Sequence, residues 1–429
     1  MDQLLIGKML RYRWWIFLIL GLAYLLVYFH RLSLSVVADD LIAEFATSAG
    51  VMGLLSSVYF YCYAAMQLPA GLLSDSIGPR RTVSAFLLIA AAGSIVFGLA
   101  PTIEFVFFSR VLVGFGVSMV FIPTMKILSQ WYRKDEFASM AGLLNAVGGL
   151  GVLAGTGLLG QMAQAMGRRT SFVVIGVCTI SIVVLAWLVV RDRPRDMGWP
   201  SIAEIETPRS SEPVPGAIPL LAGLRRVISE KYFWPVALWF FFDCGLFFGF
   251  GALWGGPYLM HVYGMTKAQA GGVLSMIAWG MIIGSPLMGL VSDRVFKSRK
   301  KPFILCGAVL AAEMLFLYLN PDGLPLPALY AVFFVFSLCA SAIVIVGFTT
   351  TKELFPTAIA GTSVGAVNLF PFLGGAIYMP LLGRVLDSVP QSSPGCYAIE
   401  GYSRVLLILF ISSLAALACA LMMKETFAE

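Results

Sequence analysis

The amino-acid sequence predicts an all-α membrane protein. Twelve transmembrane helices are expected, arranged as two six-helix bundles related by pseudo-twofold symmetry. Three observations carry this expectation: charges too sparse to cover a water-facing surface, apolar runs of spanning length, and motifs that recur at a nearly constant offset. Of 429 residues, 59% are hydrophobic and 12% charged, whereas a soluble domain carries about 25% charged residues. Mean hydropathy is +0.87. The surplus apolar surface must face lipid.

A spanning helix takes about 20 apolar residues. Twelve such runs centre on residues 14–38, 50–73, 82–100, 104–127, 138–162, 171–190, 232–259, 268–292, 302–319, 327–350, 358–386 and 403–422. They are continuously apolar, which excludes the alternating strands of a membrane barrel. The first run is long enough to span. It carries Arg31 and leads into Asp39-Asp40 rather than a small-residue cleavage site, so no cleaved signal peptide is expected.

Most of the 29 Lys and Arg residues precede the first run, follow an even-numbered run or follow the last. Lys8, Arg11, Arg13, Arg80, Arg81, Arg133, Lys134, Arg294, Lys297, Arg299, Lys300 and Lys301 are examples. The opposite loops hold Arg168, Arg169, Lys267, Arg384 and Arg404. The positive-inside rule then places both termini and the central loop in the cytoplasm. The net charge of +6 therefore reports orientation, and no nucleic-acid partner is expected.

The seven cysteines form no C-x-x-C pair, and all but Cys396 lie in apolar runs. They read as small buried hydrophobes rather than a disulfide framework or zinc site. His30 and His261 are too few and too scattered for a metal cluster. No cofactor is expected.

The polar, proline-rich stretch 191–231 divides six runs from six. The expected organisation is an N-terminal bundle at 1–190, a cytoplasmic linker at 191–231 and a C-terminal bundle at 232–429. Within the linker, Leu220, Leu221, Leu224, Val227 and Ile228 fall at helical spacing beside Arg225 and Arg226, the pattern of a short helix on the membrane surface. The halves repeat. Gly71-Leu-Leu-Ser-Asp75 matches Gly289-Leu-Val-Ser-Asp293 (289 − 71 = 218), and Gly142-Leu-Leu-Asn145 matches Gly365-Ala-Val-Asn368 (365 − 142 = 223). Duplicated bundles suit a carrier that rocks about a midplane site.

Gly71-x-x-x-Asp75-x-x-Gly78-x-Arg80-Arg81 resembles the loop joining spans 2 and 3 in the major facilitator superfamily. Asp293 and Arg299-Lys300-Lys301 resemble a reduced second copy, and Arg110-x-x-x-Gly114-x-Gly116 resembles the superfamily's span-4 motif. Ala360-Gly361-Thr362 through Leu369-Phe370, Leu373-Gly374-Gly375 and Arg191-Asp192-x-Pro194 resemble the organophosphate:phosphate antiporter branch. That resemblance implies roles in substrate binding for Arg31, Lys126 and Tyr63, with Gly71, Asp75, Gly78, Arg80, Arg81, Arg110, Asp293 and Arg299 acting in conformational gating. The chain departs from the branch where Phe248 replaces a second phosphate arginine, Met66 a lysine and Gly148 a histidine. A phosphate dianion would lose most of its clamp there.

A charge at the centre of a spanning helix costs about 2.5–3.5 kcal/mol on insertion scales, so each one needs a reason. Arg31 lies roughly 25 Å along the helix from Trp14, too deep to reach the cytoplasmic face. It can present a fork to a carboxylate or phosphate, form a structural ion pair, or snorkel to the outer face. Asp243 stands about 18 Å into span 7, where a desolvated acid is poised to bind and release a proton. It can alternatively serve as a counter-ion for Arg31 or hold the amine of a zwitterion. Glu313 in span 9 is the second mid-membrane acid of the C-terminal half. Asn145 and Asn368 hold equivalent positions and can bind substrate or tie helices together. Lys126 and Lys352 (352 − 126 = 226) sit near the inner ends of spans 4 and 10.

No phosphate-binding loop, H-E-x-x-H or G-x-S-x-G motif occurs, so an enzyme is not expected. The leading expectation is a monomeric secondary transporter in a bacterial inner membrane. Its partners would be a small organic anion or zwitterion, a proton and the lipid bilayer. Proton-driven drug export, organophosphate/phosphate exchange and ligand sensing without transport are the alternatives.

Overall fold

The computed structural model describes residues 3–202, 204, 220–356, 359–393 and 396–427. Linker prolines Pro208, Pro213, Pro215 and Pro219, the surroundings of Gly71 and the side chain of Asp75 lie outside the described residues. Among the described residues, eleven helices are long and apolar enough to cross a membrane. One of them, Met140–Val189, is 50 residues long, or about 75 Å at 1.5 Å per residue. No bilayer core of about 30 Å accommodates that as one pass. Gly167, at φ 77°, breaks it, in a backbone region that side chains disfavour. Twelve passes result.

Span 1 extends well beyond its apolar run, as Gln3–Leu32 followed by Leu34–Phe45. Polar partners hold both extensions: Arg13 pairs with Glu136 at 2.7 Å, and Asp39 and Asp40 pair with bases at the far end. Span 2 is Ala49–Ser76 and span 3 Pro79–Leu99, while span 4 is Ile103–Ser118 with Phe121–Trp131. Span 5 begins at Lys134, and span 6 ends at Val189. Span 7 runs Phe233–Leu246, Phe247–Trp254 and Gly255–Tyr263, its middle piece wound as π-helix. Spans 8 and 9 cover Lys267–Phe296 and Lys300–Leu319, and span 10 covers Leu326–Glu353. Span 11 is Ala360–Val367 with Leu369–Asp387, and span 12 is Ile399–Met422.

Two features lie outside the all-helical expectation. A two-stranded antiparallel hairpin, Gln391–Ser393 with Cys396–Tyr397, joins spans 11 and 12. The linker helix forms at Leu220–Ser229, but it does not merely rest on lipid. Val227 is fully buried, and Gly223 packs beside Ile359 and Thr362 at the start of span 11.

Contacts divide the chain into two compact units. The first comprises Met1–His30, Cys62–Gly151 and Arg169–Val214; the second comprises Arg31–Tyr61, Val152–Arg168 and Pro215–Glu429. The second unit thus contains the termini-distal parts of spans 1, 2 and 5 together with the later spans. Inside it, helices meet backbone to backbone. A Cβ on Gly256 of span 7 would lie 1.8 Å from the Ser35 carbonyl oxygen of span 1. One on Gly53 of span 2 would lie 2.3 Å from the Met379 oxygen of span 11. Only hydrogen fits, which is how small residues bring membrane helices together.

Gly256→Ala must therefore push spans 1 and 7 apart. It is expected to destabilise the protein by about 1–3 kcal/mol, read as a lower unfolding temperature in detergent. Gly289→Ala is the control, since a Cβ there meets nothing within 4 Å and should leave that temperature unchanged.

Candidate functional site

Arg31 follows His30 two residues before the interruption of span 1 at Ser33, and it is 7% exposed. Its guanidinium carbon lies 5.6 Å from the Phe248 ring centroid and 5.4 Å from that of Phe372. Phe60 of span 2 completes the enclosure, 4.8 Å from Phe248 and 6.2 Å from Phe372 between centroids. Four elements build this box. Spans 1 and 2 supply Arg31 and Phe60, the π-helical stretch of span 7 supplies Phe248, and span 11 supplies Phe372. Gly375 is its floor, because a Cβ there would meet Phe60 at 3.0 Å and Phe248 at 3.1 Å. π-Helical turns are rare and frequently mark functional sites. Cation–π contact with desolvated rings supplies about 2 kcal/mol toward burying the charge.

The structure brings Arg31, Asp243, Glu313 and Asn368 into the second unit and Tyr63, Lys126, Asn145 and Arg110 into the first. Asp243 is 2% exposed on span 7, and its Oδ2 has no hydrogen-bond partner among the described residues. Glu313 is buried in span 9 at 9% exposure. Asn368 sits half-buried at the junction of the two pieces of span 11. Tyr63 is buried in span 2, and Asn145 is half-buried in span 5. Lys126 donates from Nζ to the Ser74 carbonyl at 2.9 Å, so its charge lies at the C-terminal end of span 2. Arg110 donates to the His30 carbonyl at 3.2 Å, tying span 4 to span 1 beside Arg31.

At the termini-proximal end, the two signature loops are built alike within their own units. Gly78, at φ 93°, turns the chain so that Asp192 accepts from the Arg80 backbone N–H at 2.7 Å, capping span 3. Arg80 itself donates to the Trp187 carbonyl and stacks on its ring at 4.7 Å; Arg81 is exposed. In the second copy, Glu425 accepts from the Arg299 N–H at 2.8 Å and caps span 9. Arg299 is bonded to Asp293 and, at 2.9 Å, to Glu353. Asp192 follows span 6 and Glu425 follows span 12 (425 − 192 = 233), so the repeat extends to the helix caps.

The termini-distal end of the second unit carries a polar seal that the sequence reading missed. Asp39 of span 1 pairs with His261 at 3.0 Å, Asp40 with Lys267, and Glu44 with Arg168. Asp387, closing span 11, accepts from the Ala49 and Gly50 N–H groups at 2.9 and 2.7 Å. It thereby caps span 2, where a carboxylate is favoured. The Tyr397 hydroxyl, carried in by the hairpin, donates to Asp387 at 3.2 Å. The signal was present: three acids face loops whose few bases stand out against the positive-inside pattern.

The profile of the Major Facilitator Superfamily matches residues 20–379. The chain belongs to this superfamily. The "Membrane sensor protein UhpC" of Salmonella typhimurium is 25% identical, over 94% of this chain and 93% of its own. The "Glycerol-3-phosphate transporter" of Bacillus subtilis is 26% identical over 78% of each. The "Probable galactarate/D-glucarate transporter GarP" of Escherichia coli is 24% identical over 95% and 94%. A crystal structure of a bacterial homolog of the human lysosomal transporter Spinster, inward-facing and unoccupied, superposes with a TM-score of 0.77 at 18% identity, covering 97% of this chain and 98% of that one. The resemblance to the sugar-phosphate branch therefore holds, and so does the twelve-helix fold. Membership in this superfamily makes the chain an integral membrane protein of the transporter class rather than an enzyme.

Asp387→Ala removes the cap on span 2. It is expected to cost about 1 kcal/mol, seen as a lower unfolding temperature, and to speed alkylation of Cys396 in the released hairpin. Asp387→Asn keeps one acceptor oxygen and should fall between the two.

Proposed function

We propose that the protein is a secondary active transporter that imports a small organic anion or zwitterion by alternating access, driven by proton flow. The buried Arg31 is the observation that carries this reading. A permanent cation deep in a membrane fold is costly, and binding a carboxylate through its forked N–H donors supplies the reason for keeping it. The relatives named for galactarate/D-glucarate and for glycerol-3-phosphate support an acidic cargo.

On this reading Asp243 binds and releases the coupling proton, with Glu313 as a second acid in the same half. Tyr63, Asn145, Asn368 and Lys126 contribute along the path, while Arg110, the two signature loops and their caps govern opening. The six-span halves, 1–190 and 232–429, move about the linker 191–231. The excess of Lys and Arg before span 1 and after the even-numbered spans supports cytoplasmic termini in a bacterial inner membrane, with the monomer as the working unit. The relative named a sensor favours one other reading, binding without transport.

Proteoliposomes test the coupling. The wild type should accumulate whichever of D-glucarate, galactarate or glycerol-3-phosphate it exchanges when an inward proton gradient is imposed. Asp243→Asn should retain counterflow but lose gradient-driven accumulation, by about tenfold or more. Unchanged accumulation would remove Asp243 from the coupling. Binding with no flux of any of the three would establish the sensor reading instead.

A further inference from the structure

At the termini-proximal end of the second unit, the head of span 7 and the tail after span 12 meet around one aromatic ring. We propose that Tyr232, with Lys231 and Lys424 beside it, binds the phosphate headgroup of an anionic membrane phospholipid. The proposal does not depend on what the chain transports.

Charge is the first argument. The Lys231 ammonium lies 4.8 Å from the centroid of the Tyr232 ring, and that of Lys424 lies 5.3 Å from it. These lysines reach the same ring from far apart in the chain (424 − 231 = 193). Two cations gathered on one ring repel each other, and at an exposed site the ring face offsets that only weakly. The neighbouring acids are already engaged. Glu230 accepts from the Tyr232 N–H at 3.2 Å, and Glu425 accepts from the N–H groups of Arg299 and Lys300 at the head of span 9. Arg225 and Arg226 are exposed on the linker helix a few residues earlier. None of these four bases forms an ion pair among the described residues. An anion from outside the chain completes the balance.

Depth is the second argument, and it selects a lipid over a soluble anion. The apolar stretch of span 7 begins at Phe233, so Tyr232 stands at the headgroup boundary, where tyrosine and tryptophan are enriched. Trp234 donates its indole N–H to the Ile228 carbonyl at 3.0 Å, which ties the linker helix to span 7. Ile228 and Trp234 are themselves exposed. The other side of that helix is occupied by Val227 and Gly223. What it leaves outward is therefore two arginines for a phosphate and an isoleucine for the acyl chains below. A soluble anion would gain the charge contacts alone.

Thermal unfolding of the full-length purified protein, stripped of lipid in a neutral detergent, tests this. Phosphatidylglycerol added to the micelles should raise the unfolding temperature at low salt, and high salt should remove the gain. Phosphatidylcholine and inorganic phosphate should have no such effect. Lys231→Gln combined with Lys424→Gln should raise the phosphatidylglycerol fraction needed for half the gain by about tenfold or more. Lys231→Arg with Lys424→Arg should keep the wild-type response. Arg294→Gln with Lys297→Gln removes the same charge at the end of span 8 and should also keep it. Equal stabilisation by phosphatidylcholine, or an unchanged response in the Lys231/Lys424 glutamine variant, would overturn the proposal. So would an equal loss in the Arg294/Lys297 variant, or stabilisation by inorganic phosphate that the Lys231/Lys424 glutamine variant abolishes.

Discussion

The structure depends on how a permanent positive charge is kept inside an apolar fold. Arg31 cannot shed its proton at accessible pH, and it is only 7% exposed. The protein meets that constraint in two ways. Rings from spans 7 and 11 lie against the guanidinium. Arg110 holds the preceding carbonyl and so fixes the backbone from which Arg31 departs. The proposed binding chemistry starts from that single cation.

Around it, the fold is held by helix ends as much as by helix faces. Lipid-facing helices gain little from the hydrophobic effect against one another, so close backbone contact and satisfied termini matter more than in water. Gly53 and Gly256 provide the first, and Asp192, Glu425 and Asp387 the second. These carboxylates cap spans 3, 9 and 2 from positions far along the chain, and each sits where a span ends. A carrier that must open and reclose benefits from such contacts, since a few bonds at a helix terminus separate more readily than a packed interface.

The sequence announced the spans and the repeat because a bilayer admits few alternatives: continuous apolar runs, sparse charges and recurring Gly-x-x-x-Asp patterns have almost one physical solution. Arg31 and Asp243 were legible for the same reason, as charges where charge is expensive. The box was not. Phe60, Phe248 and Phe372 are three of 32 phenylalanines, most of which pack helices, and only the π-helical winding of span 7 and the glycine floor single these out. The caps were hidden by distance, since Asp387 meets Ala49 and Asp192 meets Arg80 across long stretches of chain. Lys126 shows the opposite difficulty: its basic character was plain in the sequence, but its Ser74 carbonyl partner belongs to the tertiary structure.

The central claim is that the Arg31 guanidinium, rather than positive charge alone, holds the cargo. Solute counterflow in proteoliposomes with Arg31→Lys tests it directly, because lysine keeps the charge and loses the planar fork. The account predicts that Arg31→Lys reconstitutes like the wild type but loses about tenfold or more of its exchange rate. Wild-type exchange by Arg31→Lys, or by Arg31→Gln, would contradict it.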